Sequence, residues 1–148
     1  MNQKFAPGTA TSWALHPQLE RDTVAVGDLP LCRVLLIDDS NYPWVLLVPR
    51  RPGIVEIIDL SESEQVQLTM EIAQASRAMK AMTGCDKINV AALGNMVPQL
   101  HVHVIARGRR DPTWPKPVWG AVPGIPHGKA ALQSRLADLR ERLAISQI

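Results

Sequence analysis

The sequence lacks the features that mark a secreted, a membrane or a nucleic-acid-binding protein. Its two cysteines, Cys32 and Cys85, have no C-x-x-C neighbour and no partner ligands at zinc spacing, so we expect buried, reduced thiols, as in a cytosolic protein. The longest apolar runs, such as Val45 to Val48, are far too short to span a bilayer. The formal net charge of +2 gives no reason to expect a nucleic acid or a membrane as a partner.

Common targeting and catalytic motifs are also missing. The sequence has no G-x-x-x-x-G-K phosphate loop, no G-x-G-x-x-G and no G-x-S-x-G. Residues 1–10 contain one lysine and no apolar h-region, so we do not expect a secretory signal, and their Pro, Gly and Thr content predicts a flexible tail. The remaining residues, 11–148, have the length of one ordinary domain. We therefore expect a single-domain, cytoplasmic protein.

What is present is the pattern of an α+β domain. Apolar residues make up 46% of the chain and charged residues 20%, which suits a globular core. The elements predicted in chain order are a helical stretch over 13–21, strands over 23–29, 31–37 and 44–48, a helix from Ser61, strands over 87–93 and 99–106, a proline-rich loop over 108–128 and a C-terminal helix. This order of strands and helices predicts an antiparallel sheet covered by helices.

Two helices and two strand pairs have clear signals in the sequence. Ser61 and Glu64 fit a capping box, and Gly84 is placed to end the helix that they begin. Apolar residues at steps of three and four give each helix one buried stripe. The two stripes are Leu68, Ile72, Ala75, Met79 and Met82, then Leu132, Leu136, Leu139 and Leu143. The turn over 38–41 predicts a hairpin, and the short connection over 94–98 predicts that the last two strands are antiparallel neighbours.

Polar and apolar residues alternate from Gln99 to Val104. Side chains two residues apart on a strand share a face, so we expect Gln99, His101 and His103 in a row and the apolar residues between them in the core. Three buried polar side chains without partners would be costly. The row is therefore expected to line a ligand cleft or to face solvent.

An H-x-H pair alone has more than one interpretation. His101 and His103 could be two surface histidines on a solvated sheet face, or two ligands of a divalent metal ion. An acidic or third histidine ligand is missing nearby in the sequence, so we predict no metal site.

The context of the pair resembles the histidine-triad family. The segment Gly94–Arg107 reads GNMVPQLHVHVIAR, and in that family a Gly-Asn or Gly-Gln turn leads into a strand reading His-φ-His-φ-His-φ-φ, where φ is apolar. The resemblance extends upstream to DSNYPWVLLVPR (residues 39–50), downstream to DPTWP (residues 111–115), and covers roughly residues 15–120. The first triad position departs from the family pattern because it holds Gln99.

The resemblance implies a fold, an activity and a partner. It implies an antiparallel sheet with helices, usually paired into a homodimer, and it requires no cofactor. The implied substrates are dinucleoside polyphosphates or nucleoside phosphoramidates. The middle histidine of the triad, here His101, is then the nucleophile, and His103 contacts the phosphate or the departing group.

The chemistry of the residue types agrees with that assignment. Histidine can form a covalent intermediate, and its ordinary pKa of about 6.5 leaves it largely neutral at pH 7. Attack of His101 on the α-phosphate would give a nucleotidyl-histidine, which water hydrolyses or an acceptor intercepts. In the family a backbone carbonyl near the first triad residue holds the nucleophile's other nitrogen, so this contact could survive at Gln99. Glutamine cannot carry a proton, which leaves open any step that needs a charged first histidine.

Four further residues form the candidate substrate-binding set. By resemblance, Asn95 lies near the phosphates and Asp38 binds the ribose hydroxyls, with Asp39 as the competing choice; a plain turn residue is the alternative at each place. Asn89 and Arg107 complete the set. A structural role is the alternative for Asn89, and a solubilising role in a loop is the alternative for Arg107.

Two tryptophans and two further histidines lie outside the motif. Trp114 and Trp119 lie between prolines of the 108–128 loop, where an aromatic ring could cover a base or pack at a dimer interface, with buried packing as the alternative. His16 and His127 suggest no role.

The leading hypothesis is a nucleotide hydrolase or nucleotidyl transferase. The alternatives are a nucleotide-binding module with weak turnover because of Gln99, and a metal-binding protein that uses the H-x-H pair. Nucleic-acid binding has little support because the basic residues are spread out without an aromatic ladder. The sequence names neither the base nor the leaving group.

Overall fold

A computed structural model describes residues 12–146 and residue 148 of the chain. The tail predicted over residues 1–10 lies outside the described residues. The elements in chain order are α1 (Pro17–Asp22), β1 (Thr23–Asp28), β2 (Cys32–Ile37), β3 (Trp44–Pro49), a 3-10 turn (Ile57–Asp59), α2 (Glu62–Thr83), β4 (Lys87–Ala91), β5 (Val102–Arg107) and α3 (Lys129–Leu143).

The strands form one antiparallel sheet in the order β1-β2-β3-β5-β4. The predicted α+β class, the β2–β3 hairpin and the pairing of the last two strands are all confirmed. Strand β5 lies between β3 and β4, and β4 forms an edge of the sheet. Strand β5, which carries His103, is therefore paired on both sides, and this pairing holds its side chains at fixed positions.

Alternation along the strands gives the sheet two different faces. One set of buried side chains packs against α2 and α3 in the main core, and we call that side the helix face: Val34, Leu36, Val45, Leu47, Val102, Val104, Leu68, Met79, Leu136 and Leu139. The other set faces the opposite way, towards α1, in a smaller cluster that includes Leu19, Leu35 and Leu46. Complete burial of one such side chain stabilises the fold by about 1.5–3 kcal/mol, so the helix face supplies most of the driving force.

Helix α2 begins and ends as its sequence predicts. The Ser61 hydroxyl accepts a hydrogen bond from Glu64 N at 3.3 Å, and the Glu64 carboxylate accepts one from Ser61 N at 3.1 Å, which completes the capping box. Gly84 ends the helix with φ of 63°, a left-handed conformation that favours glycine.

Three element boundaries differ from the prediction. Helix α1 begins at Pro17 and not at residue 13, because proline is favoured at the first helical position and disfavours helical backbone in His16 before it. Strand β4 ends at Ala91, ahead of Gly94, which turns with φ of 73°. Strand β5 begins at Val102, because Leu100 N donates to Ile54 O instead of to β4. The segment 99–101 therefore lies outside the regular strand.

Both cysteines are free thiols, but they differ in burial. Cys32 is buried, and burial raises the pKa of its thiol far above the usual range. Cys85 is only half-buried because it follows Gly84 in the connection between α2 and β4, which corrects the expectation of two buried thiols. Among the described residues, no helix is long and apolar enough to cross a membrane.

Candidate active site

A pocket of about 430 Å³ opens on the sheet face opposite α2 and α3. Its floor is formed by Ile37, Trp44 and Leu46 of strands β2 and β3. Helix α1 forms one wall, the turn over residues 93–97 forms another, and Trp119 of the 108–128 loop closes the side. Most of the lining is apolar, and both His101 and His103 belong to it. The histidine pair therefore lines a cleft and does not lie on an open, solvated sheet face.

His101 is held in one tautomer by the backbone. Its side chain is 8% exposed, and its Nδ1 lies 2.7 Å from the carbonyl oxygen of Gln99. A carbonyl oxygen can only accept, so Nδ1 carries the hydrogen and Nε2 of the neutral ring keeps its lone pair. This is the arrangement that a histidine nucleophile needs.

His103 lies beside His101 and is held by a side chain. The two ring centroids are 5.0 Å apart, and the His103 residue is 6% exposed. The indole Nε1–H of Trp44 donates to His103 Nδ1 at 3.0 Å. Burial, and then the neighbouring His101, lower the pKa of His103 to about 4. His103 is therefore a neutral ring at pH 7.

Gln99 does not join the two histidines in a row. Its Oε1 accepts from His16 N at 2.8 Å, and its Nε2 donates to Ala14 O at 2.9 Å. The predicted row assumed a regular strand over 99–103, but β5 begins only at Val102. The backbone of Gln99 therefore holds His101, while its side chain holds the segment before α1.

His16 has a structural role that the sequence did not suggest. It caps α1, and its Nδ1 accepts a hydrogen bond from Gln18 N at 3.1 Å. Helix α1 contributes Leu19 and Asp22 to the pocket wall. The His-Pro pair at residues 16–17 is the available sequence signal, since proline at the first helical position marks a helix start.

Asn95 lies in the turn that precedes the histidine segment and lines the pocket. It is exposed, and it follows Gly94, whose φ of 73° shapes the turn. Asn95 and His101 therefore line the same pocket.

The structure separates Asp38 from Asp39. Asp38 directly follows strand β2 and the pocket residue Ile37, and it is half-buried. Its Oδ1 accepts from both N and Nδ1 of His127 at 2.8 Å. The hydrogen bond from the His127 backbone, and then that from its ring, lower the pKa of Asp38. Asp39 is buried, and its Oδ1 accepts from Asn41 and from Ile125 N. Asp38 is therefore the more accessible carboxylate.

His127 is the second histidine whose contact the sequence analysis missed. Its contact with Asp38 joins residues 89 positions apart, and no local pattern around His127 signals it. Its position before α3 fixes the loop end against the end of β2.

Arg107 and Asn89 lie outside the lining of the pocket. Arg107 is 1% exposed, and its guanidinium donates to Asp111 at 2.7 and 3.1 Å and to Asn89 Oδ1 at 3.0 Å. The Asp111 carboxylate also accepts from Thr113 N and Trp114 N. A buried, fully engaged guanidinium fits neither phosphate contact nor a solubilising role. The structure gives both residues a structural role in anchoring the loop that carries Trp119.

A metal site at the H-x-H pair finds no third ligand in the described part of the chain. No group of three or more His, Cys, Asp or Glu side chains there could hold a metal ion.

Comparison with known proteins matches residues 18–110 to the family described as HIT domain. The chain is similar to a histidine triad protein from Bradyrhizobium japonicum, with 55% identity, a TM-score of 0.88, and coverage of 90% of this chain and 99% of that one. A histidine triad protein from Marinobacter aquaeolei is 46% identical, with a TM-score of 0.88 and coverage of 90% and 98%. A third, from Sinorhizobium meliloti, is 42% identical, with a TM-score of 0.87 and coverage of 90% and 99%. No curated protein sequence matches the chain.

Proposed function

The chain belongs to the HIT-domain family, and from this premise we propose that it is a nucleotide hydrolase or nucleotidyl transferase with His101 as its nucleophile. Membership of the family supports nucleotide binding or hydrolase and transferase chemistry in general. The hydrogen bond from His101 Nδ1 to the Gln99 carbonyl carries the finer proposal, because it leaves Nε2 as the free lone pair in the pocket.

The proposed reaction has two displacements at phosphorus. His101 Nε2 attacks the α-phosphorus of a nucleoside phosphoramidate or dinucleoside polyphosphate. The P–N or P–O bond to the leaving group breaks, and the departing group keeps the electron pair and takes a proton from solvent. Water or another acceptor then attacks the phosphorus of the nucleotidyl-histidine, the bond from phosphorus to Nε2 breaks with its electron pair returning to Nε2, and the proton of the attacking group passes to solvent. The Nδ1–H bond to the carbonyl stabilises the positive charge that the ring gains in between.

The rest of the pocket suits a nucleotide. The apolar side chains of Leu19, Ile37 and Leu46 offer a surface for the base. The exposed amide of Asn95 lies at the rim near the phosphate position, and the half-buried Asp38 is the candidate for the ribose hydroxyls. Cofactors have no part in this scheme.

The glutamine at the first triad position affects nucleophilic attack and protonation of the leaving group differently. The Gln99 carbonyl still orients His101, whereas its side-chain amide is engaged by Ala14 and His16. Residue 99 therefore still orients His101 for attack at phosphorus. It does not supply a proton to the leaving group. Substrates whose leaving group departs without help, such as a pyrophosphate chain, should turn over best.

Association into a homodimer is part of the proposal. Strand β4 is at the sheet edge with Val90 exposed, and Val66 and Met70 are exposed one turn apart on α2. Exposed apolar side chains and an open strand edge favour pairing with a second copy. Light scattering after size exclusion should give twice the mass of the chain, and a monomer at micromolar concentration would contradict this part.

The test of the proposed function is the intact mass of the protein after brief incubation with an adenylated phosphoramidate or a diadenosine polyphosphate. We expect a transient added nucleotide and released AMP with the wild type. The His101→Ala variant should form no adduct and lose at least about a thousandfold in rate. If the wild type binds nucleotide but gives no adduct and no AMP, the hydrolase proposal fails and a nucleotide-binding module is the better description.

A further inference from the structure

The hydrogen bond between Trp44 and His103 has chemical consequences beyond packing. It joins β3 to β5 across 59 residues of sequence, with an Nε1–Nδ1 distance of 3.0 Å. The tilted rings have centroids 5.6 Å apart. Trp44 is itself held edge-on by Tyr42 at 6.3 Å and by Trp119 at 5.9 Å. The donor is therefore fixed by neighbouring aromatic rings.

An indole N–H can only donate, so His103 Nδ1 must accept. The hydrogen of the neutral His103 ring is then on Nε2. His101 has the opposite tautomer, because a carbonyl oxygen holds its Nδ1–H. The two adjacent rings thus present opposite chemistry to the pocket: a lone pair on His101 Nε2 and a hydrogen-bond donor on His103 Nε2.

The surroundings of His103 favour its neutral Nε2–H tautomer. Trp44 and Trp119 contact its ring with uncharged indoles, and the Trp119 centroid is 5.1 Å away. The titratable groups that share the pocket are His101 and, from α1, Asp22. A protonated His103 would turn an N–H towards the N–H of Trp44 and lose their hydrogen bond.

We infer that Trp44 is a positioning residue that holds His103 as the neutral Nε2–H tautomer, so that His103 donates a hydrogen bond to the phosphate attacked by His101. The role of that donor rests on the proposed function, whereas the hydrogen bond itself does not. In this arrangement His103 stabilises charge on the phosphate and does not act as a general acid near neutral pH.

The tautomers can be observed directly by NMR with ¹⁵N-labelled histidine and tryptophan. We expect the wild type at pH 7 to show His103 protonated at Nε2, His101 protonated at Nδ1, and a ¹⁵N–¹⁵N coupling across the hydrogen bond from Trp44 Nε1 to His103 Nδ1. A wild type with His103 protonated at Nδ1, or without this coupling, overturns the inference. This measurement needs no variant, so it holds even if substitution of Trp44 impairs folding.

Trp44→Phe and Trp119→Phe form a matched pair of variants. Each replaces one indole in contact with His103, but only Trp44 donates to it. We expect His103 in Trp44→Phe to populate both tautomers and to titrate at higher pH, while Trp119→Phe keeps the wild-type pattern. The same His103 spectrum and titration in Trp44→Phe as in the wild type would overturn the inference.

Kinetics connect the tautomer to catalysis. Loss of one well-placed neutral donor should lower kcat of Trp44→Phe about tenfold and change KM less than about twofold. An unchanged kcat in a variant with mixed tautomers would overturn the catalytic part. A wild type that shows the coupling but turns over neither the adenylated phosphoramidate nor the diadenosine polyphosphate would instead overturn the proposed function. It would leave the hydrogen bond from Trp44 to His103 established.

Discussion

At the scale of single residues, His103 makes stability depend on pH in a defined range. Its pKa is about 4 in the folded protein, against an ordinary value of about 6.5. Below pH 6.5 the unfolded chain binds a proton that the folded chain does not bind, so stability falls as the pH falls from about 6.5 towards about 4. Above that range His103 contributes no slope. The greatest loss from this residue is about 3 kcal/mol.

His103→Gln isolates that contribution. A glutamine oxygen can still accept from Trp44 Nε1 but does not titrate. We expect urea unfolding between pH 7 and pH 4.5 to show a clearly smaller decline in stability for the variant than for the wild type. An equal decline in both proteins would mean that other groups, among them the paired carboxylates, produce the whole effect.

The residues around the site divide into those that a local pattern signals and those that it does not. The spacing of His101 and His103, with the Gly-Asn turn before them, indicated that the two side chains lie together, and both line one pocket. The contact of Trp44 with His103 and that of His127 with Asp38 join residues 59 and 89 positions apart. Such contacts depend on how the strands and loops meet in the folded chain, so the sequence could not supply them.

At the scale of elements, α2 is tied to the start of β2 by a buried carboxylate. Glu71 is fully buried, and it accepts from Leu31 N at 2.7 Å and Cys32 N at 2.9 Å. These amides lead into β2, so their bonds to Glu71 join helix to sheet. Hydrogen bonds to a charged acceptor are stronger than those between neutral groups, and a buried amide left without a partner is costly.

We expect Glu71→Gln to lower the free energy of unfolding by about 2–3 kcal/mol, because its amide offers one acceptor oxygen to two backbone donors. Glu62→Gln is the matched control. Glu62 is exposed in the first turn of the same helix, where its charge contributes less than about 1 kcal/mol. Urea unfolding measures the free energy of unfolding of both variants. Equal losses of this free energy would show that Glu71 contributes only as a charge on α2 and not through its hydrogen bonds to the start of β2.

The fold could be predicted element by element where local signals and packing agree. Helix α2 has a capping box, an apolar stripe and a terminal glycine, and its bounds follow from them. The end of β4 and the start of β5 could not be predicted, because Leu100 pairs with Ile54 from a distant loop. Burial of Arg107 was unexpected for a similar reason, since its partner Asp111 lies in a loop without regular structure.

At the scale of the whole molecule, the two faces of the sheet have different tasks. The helix face buries the large apolar core, while the opposite face is covered by α1, the segment before it and the 108–128 loop, with the pocket between them. Gln99 connects these parts. Its carbonyl oxygen accepts from His101 Nδ1, and its side chain holds the segment before α1. One residue therefore connects the α1 wall of the pocket to His101, the proposed nucleophile.

The connection through Gln99 predicts the effect of Gln99→Glu. A carboxylate cannot donate to Ala14 O and would face it with a second acceptor, so the start of α1 should loosen and the wall formed by Leu19 should move. The backbone bond to His101 remains. We expect nucleotide affinity to fall about three- to tenfold, since the hydrogen bond to Ala14 O is lost, with KM raised and kcat nearly unchanged. Gln74→Glu is the matched control, because Gln74 Nε2 also donates to a backbone carbonyl, that of Leu143, on the helix face. Calorimetric titration with AMP should show weakened binding only in Gln99→Glu. A fall in kcat with unchanged KM would instead assign Gln99 to the chemical step and would contradict its role as the link between α1 and the site.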